Sequence, residues 1–299
     1  MNPINLICQT ACPPLEGACR SLIKRNKTKL SNINLQLLKS PSIMKNISRR
    51  NMMQLSAITA LGSLIGTPAY SKTPATNKSM GRKLKIIVAG AHPDDPESGC
   101  GGTMALFAAA GHEVISAYLT RGEAGIQGKS NDEAAKIRTE EALKACRILN
   151  VRAEFLGQID GSAEINKGRY AEIHNFFKKE NPDIIFTHWP VDSHRDHRIC
   201  SILVYDAWLS LGKKNALYYF EVESGSQTQN FSPTTFIDIS SVVKQKSDAC
   251  MMHASQNPAD WYENIHMKMQ KFRGLEFNCE YAEAFIKHNQ NPGTLIPLV

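Results

Sequence analysis

A chain of 299 residues that is 42% hydrophobic holds enough material for one large α/β domain or two small ones. Its net charge of +7 is lopsided: residues 1–71 carry nine Lys and Arg against the single acid Glu16, so the remainder carries −1. The basic balance belongs to the leader, which argues against a nucleic-acid partner for the folded part. Of eight cysteines, Cys8, Cys12 and Cys19 lie in the leader. Cys100, Cys146, Cys200, Cys250 and Cys279 are odd in number and lack CxxC spacing. They read as buried small hydrophobes rather than a disulfide framework or zinc ribbon.

Residues 1–43 lack periodicity and are rich in Asn, Lys and Ser, so no fold is expected there. Met44 opens an export pattern over residues 44–71: a basic stretch with Ser48-Arg49-Arg50, an apolar run from Leu55 to Ile65, and small residues through Ser71. The paired arginines are the twin-arginine form, which moves proteins already folded to the periplasm or exterior. The apolar run is shorter than the about 20 residues of a membrane span, so no stable span is expected. Met44 is then the natural initiator and residues 1–43 an upstream extension. Residues 72–82 read as a linker, and residues 83–299 as the folded domain.

Lys85–Ala91 is an apolar run expected as a strand buried on both faces. A helix is expected over Gly101–Ala110 and a second strand over Glu113–Leu119, ending in the loop Thr120-Arg121-Gly122-Glu123-Ala124-Gly125. Asp132–Leu149 is amphipathic, with Asn150 as its C-terminal cap. Arg152–Leu156 is a third strand and Tyr170–Lys179 a helix broken by Asn181-Pro182. Asp183–Thr187 is a fourth strand, His188–Asp192 a loop, and a helix runs from Asp196 or His197 to Leu209. Further strands are expected at Ala216–Val222 and Thr235–Ile239, and helices at Ser241–Met252, Ala259–Phe272 and Glu280–Lys287. Four strand–helix alternations in about 130 residues mean a mostly parallel α/β sheet with helices on both faces. The C-terminal strands and helices are additions to that single domain. Right-handed crossovers put the strand ends carrying His92, Thr120 and His188 on one edge.

Two clusters at that edge carry chemistry: His92-Pro93-Asp94-Asp95 and His194-Arg195-Asp196-His197. A catalytic zinc takes three protein ligands, usually His and carboxylate, and keeps one position for water. His92 and Asp95 supply two from one turn and His197 the third. Asp94 faces the other way and is free to act as general base as the bound water attacks a carbonyl. Zinc or another divalent metal is the cofactor this implies. Asp196 is expected to orient His194, which then assists at the oxyanion or the leaving amine. Arg138 has a bland reading, an exposed ion pair with Glu141 three residues on. His112, His174, His266 and His288 stand alone and read as surface or packing residues. Trp189, in the loop before the second cluster, is either core or a surface for substrate to stack on. Gly99–Gly102 resembles a phosphate cradle but lacks the G-x-G-x-x-G fingerprint after the strand.

Several segments together resemble the PIG-L/LmbE-like deacetylases, from about Lys85 to Phe285. They are Ala91-His92-Pro93-Asp94-Asp95 with Gly99-Cys100-Gly101-Gly102-Thr103, Thr120–Gly125, Arg138-Thr139-Glu140-Glu141-Ala142, Thr187-His188-Trp189-Pro190 through His197, and His253-Ala254-Ser255-Gln256. The resemblance implies a Rossmann-like fold and zinc-dependent hydrolysis of the N-acetyl group of N-acetylglucosamine conjugates and related small amides. It implies His92, Asp95 and His197 as metal ligands, Asp94 as base, and His194 with Asp196 as assistants. Arg138 falls at the family's site arginine, and His253 at a C-terminal histidine that faces substrate; the other reading of His253 is a surface helix residue. Two departures stand out. Pro96 follows the Asp pair where the family has Glu, and Arg195 replaces the proline of the second motif. Arg195 either suits an anionic or polyhydroxylated substrate or faces water.

The leading expectation is therefore an exported metal-dependent deacetylase acting on a small acetamido sugar or glycan conjugate. A non-catalytic glycan- or metal-binding module on the same fold is the alternative, supported by Pro96 and Arg195. A nucleotide-dependent oxidoreductase or transferase is disfavoured by the missing glycine fingerprint.

Overall fold

The computed structural model describes residues 82–290. The leader, the export pattern and all of the linker but Arg82 lie outside the described residues. Strand β1 (Lys85–Gly90) sits at the centre because four successive side chains, Ile86 to Ala89, are all fully buried. Ile86 and Val88 point to one face and pack with Met104 and Phe107; Ile87 and Ala89 point to the other and pack with Phe177, Leu203 and Trp208. A strand with period-two burial on both sides has to be covered by helices on both faces.

Those helices arrive through crossovers. In chain order the elements are β1, α1 (Asp95–Ala109), β2 (Glu113–Tyr118), α2 (Asn131–Leu149), β3 (Arg152–Phe155), α3 (Lys167–Glu180), β4 (Ile184–His188), α4 (Arg195–Ser210) and β5 (Ala216–Phe220). Then come β6 (Thr235–Asp238), α5 (Val243–Cys250), a short 3-10 turn (Ala254–Gln256), a π-helical stretch (Ala259–His266), α6 (Met267–Phe277) and β7 (Ala282–Lys287). The seven strands lie in the order β3-β2-β1-β4-β5-β7-β6. The first five are parallel; β7 runs antiparallel to β5 and to β6. The result is the expected α/β architecture: a mostly parallel sheet with C-terminal additions at one edge. Among the described residues no helix is long and apolar enough to cross a membrane.

Local signals explain most boundaries. Ser130 and Glu133 form a reciprocal capping box at the start of α2, and Asn150 ends it in the left-handed conformation, φ 57°. Asn166 caps α3, which therefore begins three residues earlier than expected. Helix α1 begins at Asp95, six residues before the expected start, because Pro96 in its first turn needs no backbone N–H partner. Gly99–Gly102 is thus buried helix rather than a phosphate cradle. A Cβ at Gly99 would come within 2.5 Å of Phe220, and one at Gly102 within 2.6 Å of Ile239, so the glycines let α1 lie against its neighbours. His188 is the last residue of β4, not the start of a loop.

The segment Glu280–Lys287, expected as helix, is strand β7. Its Ala-Glu-Ala start favours helix, but Phe220↔Phe285 and Phe236↔Ala284 pairings place it between β5 and β6. There it closes an edge that β5 would otherwise leave open. Its buried Glu283 accepts the Gly102 and Thr103 N–H groups at 2.8 Å and the Lys246 ammonium at 2.6 Å. Cys100, Cys146, Cys200 and Cys250 are buried, as the sequence suggested, and burial pushes the Cys146 and Cys200 thiols up to about 12.

Candidate active site

The chain crosses from β1 to β2 on one side of the sheet, while β4 pairs with β1 on the other. That reversal opens a crevice beyond the carboxyl ends of the strands, the usual ligand position in open α/β sheets. A cavity of about 460 Å³ lies there. His92, Asp94 and Asp95 enter it from the end of β1, Asp160 from the loop after β3, and His194 and His197 from the start of α4.

Asp95 is the hub. One oxygen lies 3.3 Å from His92 Nδ1 and 3.2 Å from His188 Nε2; the other lies 3.3 Å from His197 Nε2. The His188 and His197 rings stack at 4.0 Å, and His194 stacks on His197 at 4.6 Å. Asp192 stands 3.2 Å behind His197 Nδ1 and also accepts from the His194 N–H at 2.7 Å and the Thr228 hydroxyl at 2.9 Å. A carboxylate behind a histidine fixes the tautomer that leaves the far nitrogen as ligand. Burial alone would hold His197 neutral; Asp95 and then Asp192 outweigh it and lift the ring to about 9. Against the cost of burial, His197 and His188 hold the Asp95 carboxyl well below the usual carboxylate range.

Asp94 is set apart from Asp95 by its backbone. Its φ of 118° is one an L-residue rarely adopts. Arg138 holds it there: one guanidinium nitrogen donates to Pro93 O at 2.6 Å and to Asp94 Oδ2 at 3.0 Å. Arg138 is buried and makes no pair with Glu141, whose carboxylate instead accepts from the Ser255 N–H and hydroxyl. Arg138 lines the cavity rather than an exposed helix face. Burial raises the Asp94 carboxyl; Arg138 partly offsets this, and Asp95 adds to it.

The Thr120–Gly125 loop explains how Arg138 fits. A Cβ at Gly122 would sit 2.5 Å from the guanidinium, and one at Gly125 would overlap it outright. Between them, Glu123 accepts the Asp160 N–H at 3.0 Å, and Asp160 accepts the Ala124 N–H at 3.2 Å. This loop thus clears space for the arginine and positions Asp160, which stands 3.1 Å from His92 Nε2.

Three expectations need correction. The Asp196 side chain does not orient His194: its carboxylate accepts the Gly161 N–H at 2.8 Å and lies 3.5 Å from His92. The Asp196 backbone does that work, its N–H donating to His194 Nδ1 at 3.2 Å, because His194 is the N-cap of α4. Trp189 does not reach the cavity; its indole donates to Gln229 O, and the ring packs edge-on to Tyr219 and Phe231. His253 is fully buried, 3.5 Å from Glu97, and does not line the cavity. Glu97 itself accepts a short hydrogen bond of 2.5 Å from Tyr118. The first-motif glutamate, displaced one position by Pro96, therefore belongs to an internal cluster. Arg195 is exposed and donates to Ala163 O, away from the cavity.

Other lining residues gave no signal in sequence. Asp160 lies in an irregular loop with no motif spacing. Trp261 and His266 were placed on an ordinary helix and a packing site, yet both line the cavity. They lie five apart on a π-helical stretch, whose i→i+5 hydrogen bonding changes which residues share a face.

The donor chemistry fits a divalent cation. Ligand atoms converge within 4.8 Å of one another in three overlapping sets: His92, His194 and His197; Asp95, His188 and His197; and His92, Asp160 and Asp196. His92 Nε2 faces the Asp160 and Asp196 carboxylates at 3.1 and 3.5 Å, and Asp196 Oδ1 is buried without a hydrogen bond; a bound ion relieves such a concentration of buried acceptor atoms. Imidazole nitrogens with carboxylate oxygens are the donor set of zinc and similar metals.

Comparisons with known proteins bear on the same residues. The family described as PIG-L, GlcNAc-PI de-N-acetylase, matches residues 87–208, a span containing both clusters. The chain is 31% identical over 195 residues to a diacetylchitobiose deacetylase of Thermococcus kodakarensis, covering 60% of this chain and 72% of that protein. It is 28% identical over 199 residues to a 4-oxalmesaconate hydratase of Pseudomonas putida, covering 60% and 76%. The solved N,N'-diacetylchitobiose deacetylase of Pyrococcus horikoshii shares the fold with a TM-score of 0.61 at 24% identity, covering 71% of this chain and 88% of that one. By its matched span, its Thermococcus relative and its sheet with two acid–histidine clusters at one edge, the chain belongs to the PIG-L/LmbE-like deacetylase family.

Proposed function

We propose that the protein is a metal-dependent amidohydrolase that removes the N-acetyl group from an N-acetylglucosamine-type sugar or conjugate. His92, Asp95 and His197 would hold the ion, zinc being the metal their donor set favours. When bound, the ion polarises the acetyl carbonyl and lowers the pKa of water toward ~7. The observation that carries the reading is Asp94, a carboxylate held by Arg138 at 3.0 Å in the cavity that His92, Asp95 and His197 also line.

Asp94 accepts a proton from the attacking water and passes it to the nitrogen as the amide C–N bond breaks, so acetate and a free amine leave. Burial raises the Asp94 carboxyl, the direction that makes a carboxylate a better proton acceptor. His194 accepts the Asp196 N–H on Nδ1, so its neutral ring presents Nε2–H to the acetyl oxygen, where negative charge builds. Arg138 fixes Asp94, and Asp192 fixes His197.

A non-catalytic binding module rested on Pro96 and Arg195. Pro96 fits the first turn of α1 and Arg195 points away from the cavity, so neither departure disturbs the proposed machinery. The hydratase relative marks a different reaction on a similar chain, and acetate release separates the two. Chelator-treated protein should release no acetate from N-acetylglucosamine derivatives, and zinc should restore release; undiminished turnover after verified metal removal contradicts the proposal. We also propose that residues 44–71 export the folded protein, which fractionation of the expressing cell tests.

A further inference from the structure

The chain between β5 and β6 contributes Val222, Glu223 and Gln227 to the cavity lining. It turns back on itself there. The Thr228 N–H donates to Val222 O at 3.1 Å, the Gly225 N–H to Thr228 O at 2.9 Å and the Gln227 N–H to Glu223 O at 2.8 Å. The loop is fastened to the segment before α4: Ser193 N–H donates to Gln227 O and Gln229 N–H to Val191 O, both at 2.9 Å. Asp192 and Thr228 are the directly opposed residues of this antiparallel bridge.

Thr228 is buried at that junction. Its Oγ1 accepts the Val222 N–H at 2.9 Å, and its hydroxyl donates to Asp192 Oδ2 at 2.9 Å, since a carboxylate can only accept. The other Asp192 oxygen accepts the His194 N–H at 2.7 Å and stands 3.2 Å from His197 Nδ1. The Asp192 side chain is wholly out of solvent, so no water competes for either oxygen. With one oxygen held by the hydroxyl and the other by the backbone, turning the carboxylate breaks both bonds. It therefore stays facing Nδ1, and His197 presents Nε2 on the Asp95 side, 3.3 Å from that carboxylate. Thr228 lies beyond the family-matched span, residues 87–208, and in none of the motif segments.

We propose that Thr228 is a positioning residue for the metal centre. Its hydroxyl locks the Asp192 carboxylate behind His197, and the same bond ties the loop carrying Glu223 and Gln227 to the occupancy of that centre. This rests on the metal-dependent reading of the site. Linkage is reciprocal: a loop that firms the metal site is itself firmed by the bound ion.

The test is zinc affinity by competition with a chromogenic chelator, with hydrogen exchange of residues 222–229 followed on the same preparations. Thr228→Val keeps the shape and removes the hydroxyl; it should weaken zinc binding about tenfold, the low end for a group behind a ligand. Thr228→Ser restores the hydroxyl and should stay within about twofold of wild type. Added to Asp192→Ala, Thr228→Val should cost less than about twofold more, because the carboxylate it acts through is gone. In wild type, zinc should slow exchange of the loop, and Thr228→Val should shrink that difference. If Thr228→Val does not fold, Thr228→Ala is read against Thr228→Ser in its place.

Zinc bound equally by wild type and Thr228→Val, an equal loss in Thr228→Ser, additive losses with Asp192→Ala, or loop exchange indifferent to zinc overturns the positioning role. Wild type that binds no zinc overturns the metal-dependent reading and this role with it. Zinc bound in the expected order of affinities, without acetate release from any acetamido sugar, supports the role and overturns the deacetylase reading alone.

Discussion

At the floor of the cavity, His92, Asp95 and His197 stand on the ends of β1 and α4, backed by Asp192, Asp196 and the buried sheet. Elsewhere in the same lining, Trp261 and Gln256 stand on a π-helical stretch and a three-residue 3-10 turn, the indole N–H donating to Gln256 O and Gln256 Nε2 to Gly125 O and Ser255 Oγ. Both face one space, yet the first is a network of charged groups locked by the core and the second a surface laid on by the C-terminal additions. Chemistry that needs ligand atoms placed within fractions of an ångström belongs on the rigid part.

The largest expected effect comes from breaking the floor at its hub. Asp95→Ala should lose the metal and reduce acetate release to background, because it removes the carboxylate shared by three histidines; metal content by elemental analysis checks this. Next is Gly125→Ala, which adds a methyl where the Arg138 guanidinium lies. Displacing Arg138 releases Asp94 from its φ of 118°, and kcat should fall by about 10²-fold with the metal retained. Asp192→Asn keeps the shape but weakens the group behind His197, and should cost about 10–100-fold in metal affinity by competition titration. The smallest effect is at Trp189, whose place in the loop before the second cluster made it a candidate for substrate stacking. Trp189→Phe loses only the bond to Gln229 O, so stability should fall by about 0.5–1.5 kcal/mol in denaturant titrations with kcat/KM unchanged.

The same contrast governs how much was legible in the sequence. The apolar run of β1, the His-Pro-Asp-Asp turn and the cap at Asn150 are local, so composition and spacing revealed them. The glycines of the Thr120–Gly125 loop were visible as a motif, but that they clear room for Arg138 depends on where the following helix places that side chain. Asp160 carries no spacing signal because its place is set by Glu123, from a loop after a different strand. β7 was read as a helix because its Ala-rich start obeys local propensity, while the edge of β5 decides its state. Trp261 was missed because an α-helical wheel puts it on a different face from the π-helical register. Local signals were not all legible either: the Asn166 cap and Pro96 in the first turn start α3 and α1 earlier than their apolar patterns suggest.

Asp94 is where the central claim is most exposed. Asp94→Asn should be measured for zinc content and acetate release on one sample. Full metal occupancy with turnover reduced by about 10²–10⁴-fold is the outcome expected of a general base that is not a ligand. Turnover near that of wild type, with metal bound, contradicts it.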